Sequence, residues 1–264
     1  MLIDAFDFAK LTISKNKSFF LKLFLLGFII DMTPAVLRVT VNKNSLLPIM
    51  LISVILNILF FIFLIKMGID FYDSGSSKLS SMFKIDLILY FKLLIAFIVV
   101  GIISLLPLVL FIFPVIGWLL GIVLMIILFI KLYFVNYLII DDDLGPLEAV
   151  YKSMEIVEGH GWEAFGIFVI FLICGIITIF IQDGIKYLLK IDSHTIYSFL
   201  IKLSNSQLFL SDLENWDQAT NLLSKGVDST FSLFMEIVGS LFVVYIYKTM
   251  KGDFHNSISS IDVE

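Results

Sequence analysis

The sequence predicts an all-α, polytopic membrane protein with about six transmembrane helices and additional interfacial amphipathic helices. Of its 264 residues, 59% are apolar and only 16% are charged, and the mean hydropathy of +1.03 exceeds that of soluble domains of this length. The apolar residues form runs such as Leu46 to Ile65 and Leu93 to Pro114, each long enough to cross a hydrocarbon core of ~30 Å. Because no water satisfies backbone groups there, the runs must be helices.

Six spans are predicted, most of them bounded by polar, aromatic or turn residues. In chain order they are Phe19 to Leu37, Leu46 to Lys66, Ile85 to Phe113, the run after the Pro114 to Gly117 turn as far as about Tyr137, Trp162 to Ile181, and Thr230 to Tyr247. Pro107 is expected to kink the third span, because proline removes a backbone donor and clashes with the preceding turn. The Pro114 to Gly117 turn carries no charge, so the third and fourth spans should form a tight hairpin.

We expect a single integral membrane domain over residues 1-264. Its predicted parts are an interfacial helix at 1-17, four spans at 18-140, an interfacial elbow helix at 141-161, a fifth span at 162-190, an extracytoplasmic helical segment at 191-228, a sixth span at 229-250 and a cytoplasmic tail at 251-264. In the extracytoplasmic segment, Ser211 and Glu214 have the spacing of a capping box, and Gly226 is expected to end a second surface helix.

The first 17 residues have the pattern of an amphipathic helix. Leu2, Phe6, Ala9 and Ile13 fall on one side, and charged residues fall on the other. We expect this helix to lie in the membrane interface, with a short soluble arm as the alternative. Acidic residues precede the lysines, which is not typical of a cleaved signal peptide.

The distribution of basic residues predicts that both ends of the chain are cytoplasmic. With the N-terminus inside, eleven lysines lie on inner segments, six lysine or arginine residues lie on outer ones, and Lys92 lies within a span. Positive residues favour the inner side. The sequence therefore predicts an N-in, C-in protein.

Residues 137-170 are the part of the chain where polar residues interrupt the apolar runs in an organised way. Asp141 to Asp143 follow the fourth span and suggest a solvated acidic helix start, with a divalent-cation site as the alternative. Gly145-Pro146 predicts the start of a helix, and Gly159-His160-Gly161 predicts its end. Trp162 then re-enters the membrane at the depth that indoles prefer.

The elbow helix should be amphipathic. Its apolar positions are Leu147, Val150, Met154 and Val157, opposite Glu148, Lys152 and Glu155. Ala149 and Ser153 stand four residues apart, a small-residue pair that lets two helix backbones approach closely. We expect Ser153→Ala to be nearly silent in folding and Ser153→Leu to disturb packing.

These residues resemble a family of uncharacterised bacterial inner-membrane proteins, the YciC-like proteins and the membrane domain fused to some glycerophosphodiester phosphodiesterases. The similarity comprises the acidic turn, the A-x3-S-x5-G arrangement of Ala149, Ser153 and Gly159, and the following Trp162 and Phe165. Two further segments are similar to the family: 78-83, with its Ser-x-x-Phe entry to the third span, and the closing segment 245-251. Met154 stands where family members often carry tryptophan. The resemblance implies the fold and the location, since the family has no agreed activity.

No residue pattern predicts a reaction. The three histidines are scattered, the single cysteine is Cys174 in an apolar run, and no phosphate-binding loop or nucleophile elbow is present, so we predict no catalytic, cofactor-binding or metal-ligating residues. Lys92 and Glu236 are ionisable residues within spans and are the candidate intramembrane functional residues. Snorkelling of the charged end to the membrane surface is the better explanation for both residues.

The sequence therefore favours a non-enzymatic, multi-pass protein of the bacterial inner membrane that serves envelope or lipid homeostasis. Its predicted partners are membrane lipids, another copy of itself or another membrane protein, and not nucleic acid, because no basic groove interleaved with aromatics is present. The alternative is a transporter of small solutes or lipids, suggested by Pro107, Pro114, Gly117 and Lys92. A membrane-embedded enzyme would need polar residues that converge at one depth.

Overall fold

The computed structural model describes residues 1-40, 46-79, 87-188 and 210-261. Throughout these ranges the regular structure is helical, which confirms the predicted all-α fold. The helices are α1 (Leu2–Lys15), α2 (Lys17–Thr40), α3 (Leu46–Ser74), α4 (Leu87–Leu105), a 3-10 helix (Leu106–Ile112), α5 (Ile116–Lys131), α6 (Val135–Asp142), α7 (Pro146–Val157), α8 (Gly161–Leu188) and α9 (Leu210–Ile261).

Within the described ranges, six helical stretches are long and apolar enough to cross a membrane, as predicted. They are Lys17–Leu37, Ile52–Ser74, Leu87–Ile112, Ile116–Asp142, Gly161–Leu188 and Leu222–Gly252. The second stretch continues past its predicted end at Lys66, because α3 extends to Ser74.

The chain divides into two compact units. The first comprises Met1–Asn16, Phe61–Phe171 and Gly239–Glu264, and the second comprises Lys17–Phe60 and Leu172–Val238. Each unit therefore contains segments that are far apart in sequence, so its packing depends on long-range contacts.

Small residues mark the closest helix contacts in the first unit. On α1, the buried positions are Ala5, Ala9 and Thr12. On the predicted apolar side, Ala9 is therefore buried, while Phe6 is 45% exposed and its ring centroid lies 4.6 Å from that of Phe242 on α9. A Cβ atom at Gly68 of α3 would lie 2.7 Å from the Val244 side chain of α9. Lipid is as apolar as a large side chain, so packing selects residues that let backbones approach.

The hairpin between the third and fourth spans is tight, as predicted. At Pro107, the α-helix gives way to the 3-10 helix, because proline has no N–H group for the helical ladder. The Ile116 N–H donates to the Pro114 carbonyl at 2.9 Å across Val115, whose φ of 66° and ψ of −70° are those of a γ-turn. The Trp118 indole donates to the Phe111 carbonyl at 3.0 Å, which satisfies a backbone acceptor near the end of the 3-10 helix.

Helix α9 corrects the prediction of a separate surface helix that ends at Gly226. The helix passes through Gly226 without interruption and continues into the last span. Glycine costs only about 1 kcal/mol relative to alanine in a helix interior, so surrounding residues can carry the helix across it. The side chains of Ser211 and Glu214, predicted to form a capping box, lie outside the described residues, as does the predicted entry to the third span at 80-83.

Gly117→Ala should destabilise the hairpin. A Cβ atom at this position would overlap the Leu110 carbonyl oxygen, and overpacking of this kind costs about 1–3 kcal/mol. Unfolding in mixed detergent micelles measures the change. The matched control is Gly101→Ala on α4, where a Cβ atom meets no neighbour within 4 Å. The account of the hairpin is wrong if both variants unfold like the parent protein.

Candidate functional site

The elbow helix α7 is fixed to the first unit by the small residues that the sequence singled out. Ala149 and Ser153 are both 0% exposed, and the Ser153 hydroxyl donates to the Lys131 carbonyl at 2.7 Å. Lys131 is the last residue of α5, so its carbonyl belongs to the last turn, whose acceptors lack helical partners. The serine therefore satisfies an otherwise orphan backbone acceptor.

The predicted apolar face of α7 is buried only in part. Val150 and Val157 of that face are buried, whereas Leu147 is 62% exposed. The small pair Ala149 and Ser153 is buried too, as its spacing predicts, together with Ile156. As on α1, close contact selects small side chains. Leu147 and Tyr151 are the large hydrophobic side chains of this helix that stay exposed.

The elbow ends as the sequence predicts. Helix α7 begins at Pro146 and its last residue is Val157. Gly159 has a φ of +93°, a conformation that a residue with a Cβ rarely adopts. Trp162 follows at the start of α8 and is 84% exposed.

The acidic run belongs to a group of charges at the span ends of the first unit, which we name the lysine–aspartate cluster. Its members are Asp73 of α3, Lys92 of α4, Asp141, Asp142 and Asp143 at the end of α6, and Tyr247, Lys248 and Lys251 of α9.

Asp141 is the centre of this cluster. Its side chain is only 8% exposed, and its carboxylate lies 2.9 Å from the Lys248 ammonium and 2.6 Å from the Lys251 ammonium. The Tyr247 hydroxyl donates to the same carboxylate at 3.0 Å. A carboxylate removed from water is stabilised by such charged partners.

Two further contacts extend the cluster to the ends of other spans. Lys248 also lies 3.0 Å from Asp73 at the end of α3. The Lys92 ammonium donates to both the carboxylate and the backbone carbonyl of Asp143, each at 2.7 Å. Asp143 is the C-cap of α6 with a φ of 55°, a left-handed conformation that aspartate tolerates. The ends of α3, α6 and α9 and the start of α4 therefore meet at one face of the unit, as the predicted alternation of spans requires.

The prediction of a solvated acidic helix start is wrong. Asp141 and Asp142 end α6 instead of opening α7, and Asp141 is buried. The alternative of a divalent-cation site has no support from the geometry, since each of the three carboxylates contacts a lysine ammonium. In the part of the chain that the structure describes, no group of three or more His, Cys, Asp or Glu residues could hold a metal ion.

The second unit brings together polar residues of its own. The Asp31 carboxylate of α2 accepts a hydrogen bond from Ser229 of α9 and lies 3.5 Å from the Lys225 ammonium. Lys186 of α8 lies 2.7 Å from Asp228 of α9. These contacts join the three helices at one end of the unit.

Glu236, a candidate from the sequence, lies on the same helix as these contacts. Its carboxylate is 3.5 Å from the Ser232 hydroxyl, one turn earlier on α9. Lys92, the other candidate, belongs to the lysine–aspartate cluster. Lys92 therefore has a defined charge partner. Glu236 is exposed at the helix surface and interacts electrostatically with Asp31 and Lys225.

Sequence reasoning missed most of the cluster. Asp73, Asp141, Lys248 and Lys251 all follow the ends of predicted spans, but the sequence patterns do not link them to one another. The signal that could have found the cluster is the predicted topology. That topology places these span ends, which carry opposite charges, on the same side of the membrane. Pairing opposite charges at span ends predicted to share a side would have found the cluster.

Asp141→Asn should destabilise the first unit by about 1.5–3 kcal/mol, the usual contribution of a hydrogen bond to a charged group. The change leaves Lys248 and Lys251 beside a neutral amide, although Asp73 and Asp142 still contact them. Denaturant unfolding in detergent measures the loss. Glu155→Gln is the control. Because Glu155 is 55% exposed beside Lys152, this substitution should change the free energy of unfolding by less than about 1 kcal/mol. Equal unfolding of both variants would contradict the role given to Asp141.

Ser153→Leu should destabilise the elbow by about 1–3 kcal/mol through overpacking. The observed hydrogen bond to Lys131 changes the expectation for Ser153→Ala from nearly silent to a loss of about 0.6 kcal/mol, the average for such bonds in a membrane. Denaturant unfolding in detergent should rank the wild-type protein as most stable, Ser153→Ala next and Ser153→Leu last. A leucine variant as stable as the alanine variant would show that this face tolerates bulk.

Comparison with known proteins finds no relative of this chain. No model of a known protein family, no curated protein and no solved structure matches the chain.

Proposed function

We propose that this protein is a non-enzymatic, multi-pass protein of the bacterial inner membrane that acts in envelope or lipid homeostasis by binding lipid headgroups or a partner, either a second copy of itself or another membrane protein. Its resemblance to the YciC-like proteins supports this location. The six apolar helices support insertion in a membrane. The elbow supports the mode of action.

The outward face of the elbow is the observation that carries the proposal. Leu147 is 62% exposed and Tyr151 is 70% exposed on α7, and Trp162 beyond it is 84% exposed. On the opposite side, Ala149 and Ser153 fix the helix to the protein. Exposed aromatic and apolar side chains on a helix beside span ends are typical of contacts at headgroup depth.

Transport is the second candidate, and the residues that suggested it have structural roles. Pro107 accompanies the change of helix type, and Gly117 allows the close approach to Leu110. Lys92 contacts Asp143. None of these residues requires a permeation pathway to explain it. Purified protein in liposomes that moves solutes or scrambles lipid would nevertheless favour this candidate.

Trp162 should report lipid at headgroup depth. The protein has three tryptophans. The double variant Trp118→Phe and Trp216→Phe therefore keeps Trp162 as its one fluorescent indole. Its fluorescence in liposomes should be quenched most by lipids brominated near the headgroup and least by lipids brominated near the chain end. The proposal loses its basis if bromine at every depth leaves the fluorescence unchanged.

The biological role is tested by deleting the gene and complementing the deletion. We expect the deletion to change lipid composition, permeability or stress tolerance, and Leu147→Glu with Tyr151→Glu to fail to restore them. Glu155→Gln on the same helix is the control and should restore them. Unchanged lipid composition, permeability and stress tolerance in the deletion strain would refute the proposed role.

A further inference from the structure

A groove of about 460 Å³ lies within the second unit, among α2, α8 and α9. Its volume is in the range of small-molecule sites, roughly 300–1,000 Å³. The lining is almost wholly apolar and includes Phe28, Met32, Ile185, Leu222 and Phe231. The groove is a shallow depression that is largely open to the surroundings of the helices, so a ligand can reach it directly.

Gly226 forms part of the groove wall. It lies between Leu222 and Thr230 at four-residue spacing, so all three share one face of α9 and line the groove. A Cβ atom at Gly226 would meet no atom within 4 Å. Helix packing therefore does not require a glycine here, and the absent side chain leaves space in the groove.

Charged residues stand beside the groove on all three helices. Asp31 precedes Met32, Lys186 follows Ile185, and Lys225 precedes Gly226. These helix positions are at the ends of spans, since Lys186 is near the end of one candidate span and Lys225 is near the start of another. The apolar lining thus extends from the charged span ends toward the interior of the spans.

Lys225 is the cation best placed to bind a ligand. Its side chain is 44% exposed and its contact with Asp31 is 3.5 Å long, whereas Lys186 is 18% exposed and lies 2.7 Å from Asp228. Asp31 also accepts the hydrogen bond of Ser229. If Lys225 turned toward a ligand, Asp31 would keep a hydrogen-bond partner.

We propose that this groove binds one zwitterionic phospholipid, with part of an acyl chain in the apolar groove, the phosphate on Lys225 and the headgroup amine beside Asp31. The two lysines face two aspartates, and Glu236 adds a third carboxylate that interacts electrostatically with Asp31 and Lys225. With no surplus of positive charge, this end of the groove suits a headgroup that carries both signs better than an anionic one. The inference rests on the proposed function, because it assigns lipid binding to a particular site. It places that site in the second unit, while the elbow belongs to the first.

The test is native mass spectrometry of the whole protein in detergent micelles, titrated with dioleoyl phosphatidylethanolamine or dioleoyl phosphatidylglycerol. Wild-type protein should retain one phosphatidylethanolamine more strongly than phosphatidylglycerol. Gly226→Leu should lose this lipid because the new side chain occupies the groove. Gly184→Leu is the matched control: it is also a helical glycine of the second unit with no neighbour within 4 Å, and it does not line the groove.

A second variant tests the headgroup contact without filling the groove. Lys225→Gln should weaken retention of phosphatidylethanolamine about tenfold, as expected for loss of a charged hydrogen bond, and Lys225→Arg should retain it. Equal retention by Gly226→Leu and Gly184→Leu would overturn the groove proposal, as would stronger binding of phosphatidylglycerol. The quenching of Trp162 tests the elbow and does not involve the groove. Failure of the groove proposal in mass spectrometry therefore leaves the proposed function standing, and failure of the quenching experiment would be recognised separately.

Discussion

A carboxylate that leaves water at the end of a membrane helix needs cations beside it, because desolvation of an isolated charge costs several kcal/mol. Asp141 satisfies this condition with two lysines and a tyrosine from α9. Since Lys248 also contacts Asp73 of α3, the same requirement ties a third helix to the pair. The arrangement of the first unit depends on this buried charge, because removing it would leave the lysines without their central partner.

Close contact between helices follows a second constraint. Apolar side chains gain little by leaving lipid for protein, so helices associate where small residues allow backbone approach and extra hydrogen bonds. Ser153 supplies both on α7, and Ala5 and Ala9 supply the small surface on α1. This is why the small pair Ala149 and Ser153 predicted the packing face of α7, while a large apolar side chain such as Leu147 stays exposed. In water such a residue would pack inward, and in a bilayer it can face lipid.

These two constraints decide which side chains hold the helices together and which stay exposed. The charges of the lysine–aspartate cluster pair with one another, and the small residues of the elbow are buried against α5. Leu147, Tyr151 and Trp162 stay exposed outside these contacts, and the second unit carries the groove. We propose lipid as the ligand of both features, with headgroups at the elbow and an acyl chain in the groove.

The sequence by itself determined the helical class, the six apolar spans, the tight hairpin at Pro114 to Gly117 and the elbow from Pro146 to Val157. These features depend on local properties: length of apolar runs, proline and glycine positions, and helix punctuation. Tertiary structure alone decided that Asp141 is buried beside Lys248 and Lys251, that Ser153 reaches the Lys131 carbonyl, and that α9 runs through Gly226. These contacts depend on residues that are distant in the sequence, and the course of α9 depends on the residues around Gly226. The periodicity of apolar residues along a helix identifies a polar or small position but does not show which distant group that position contacts.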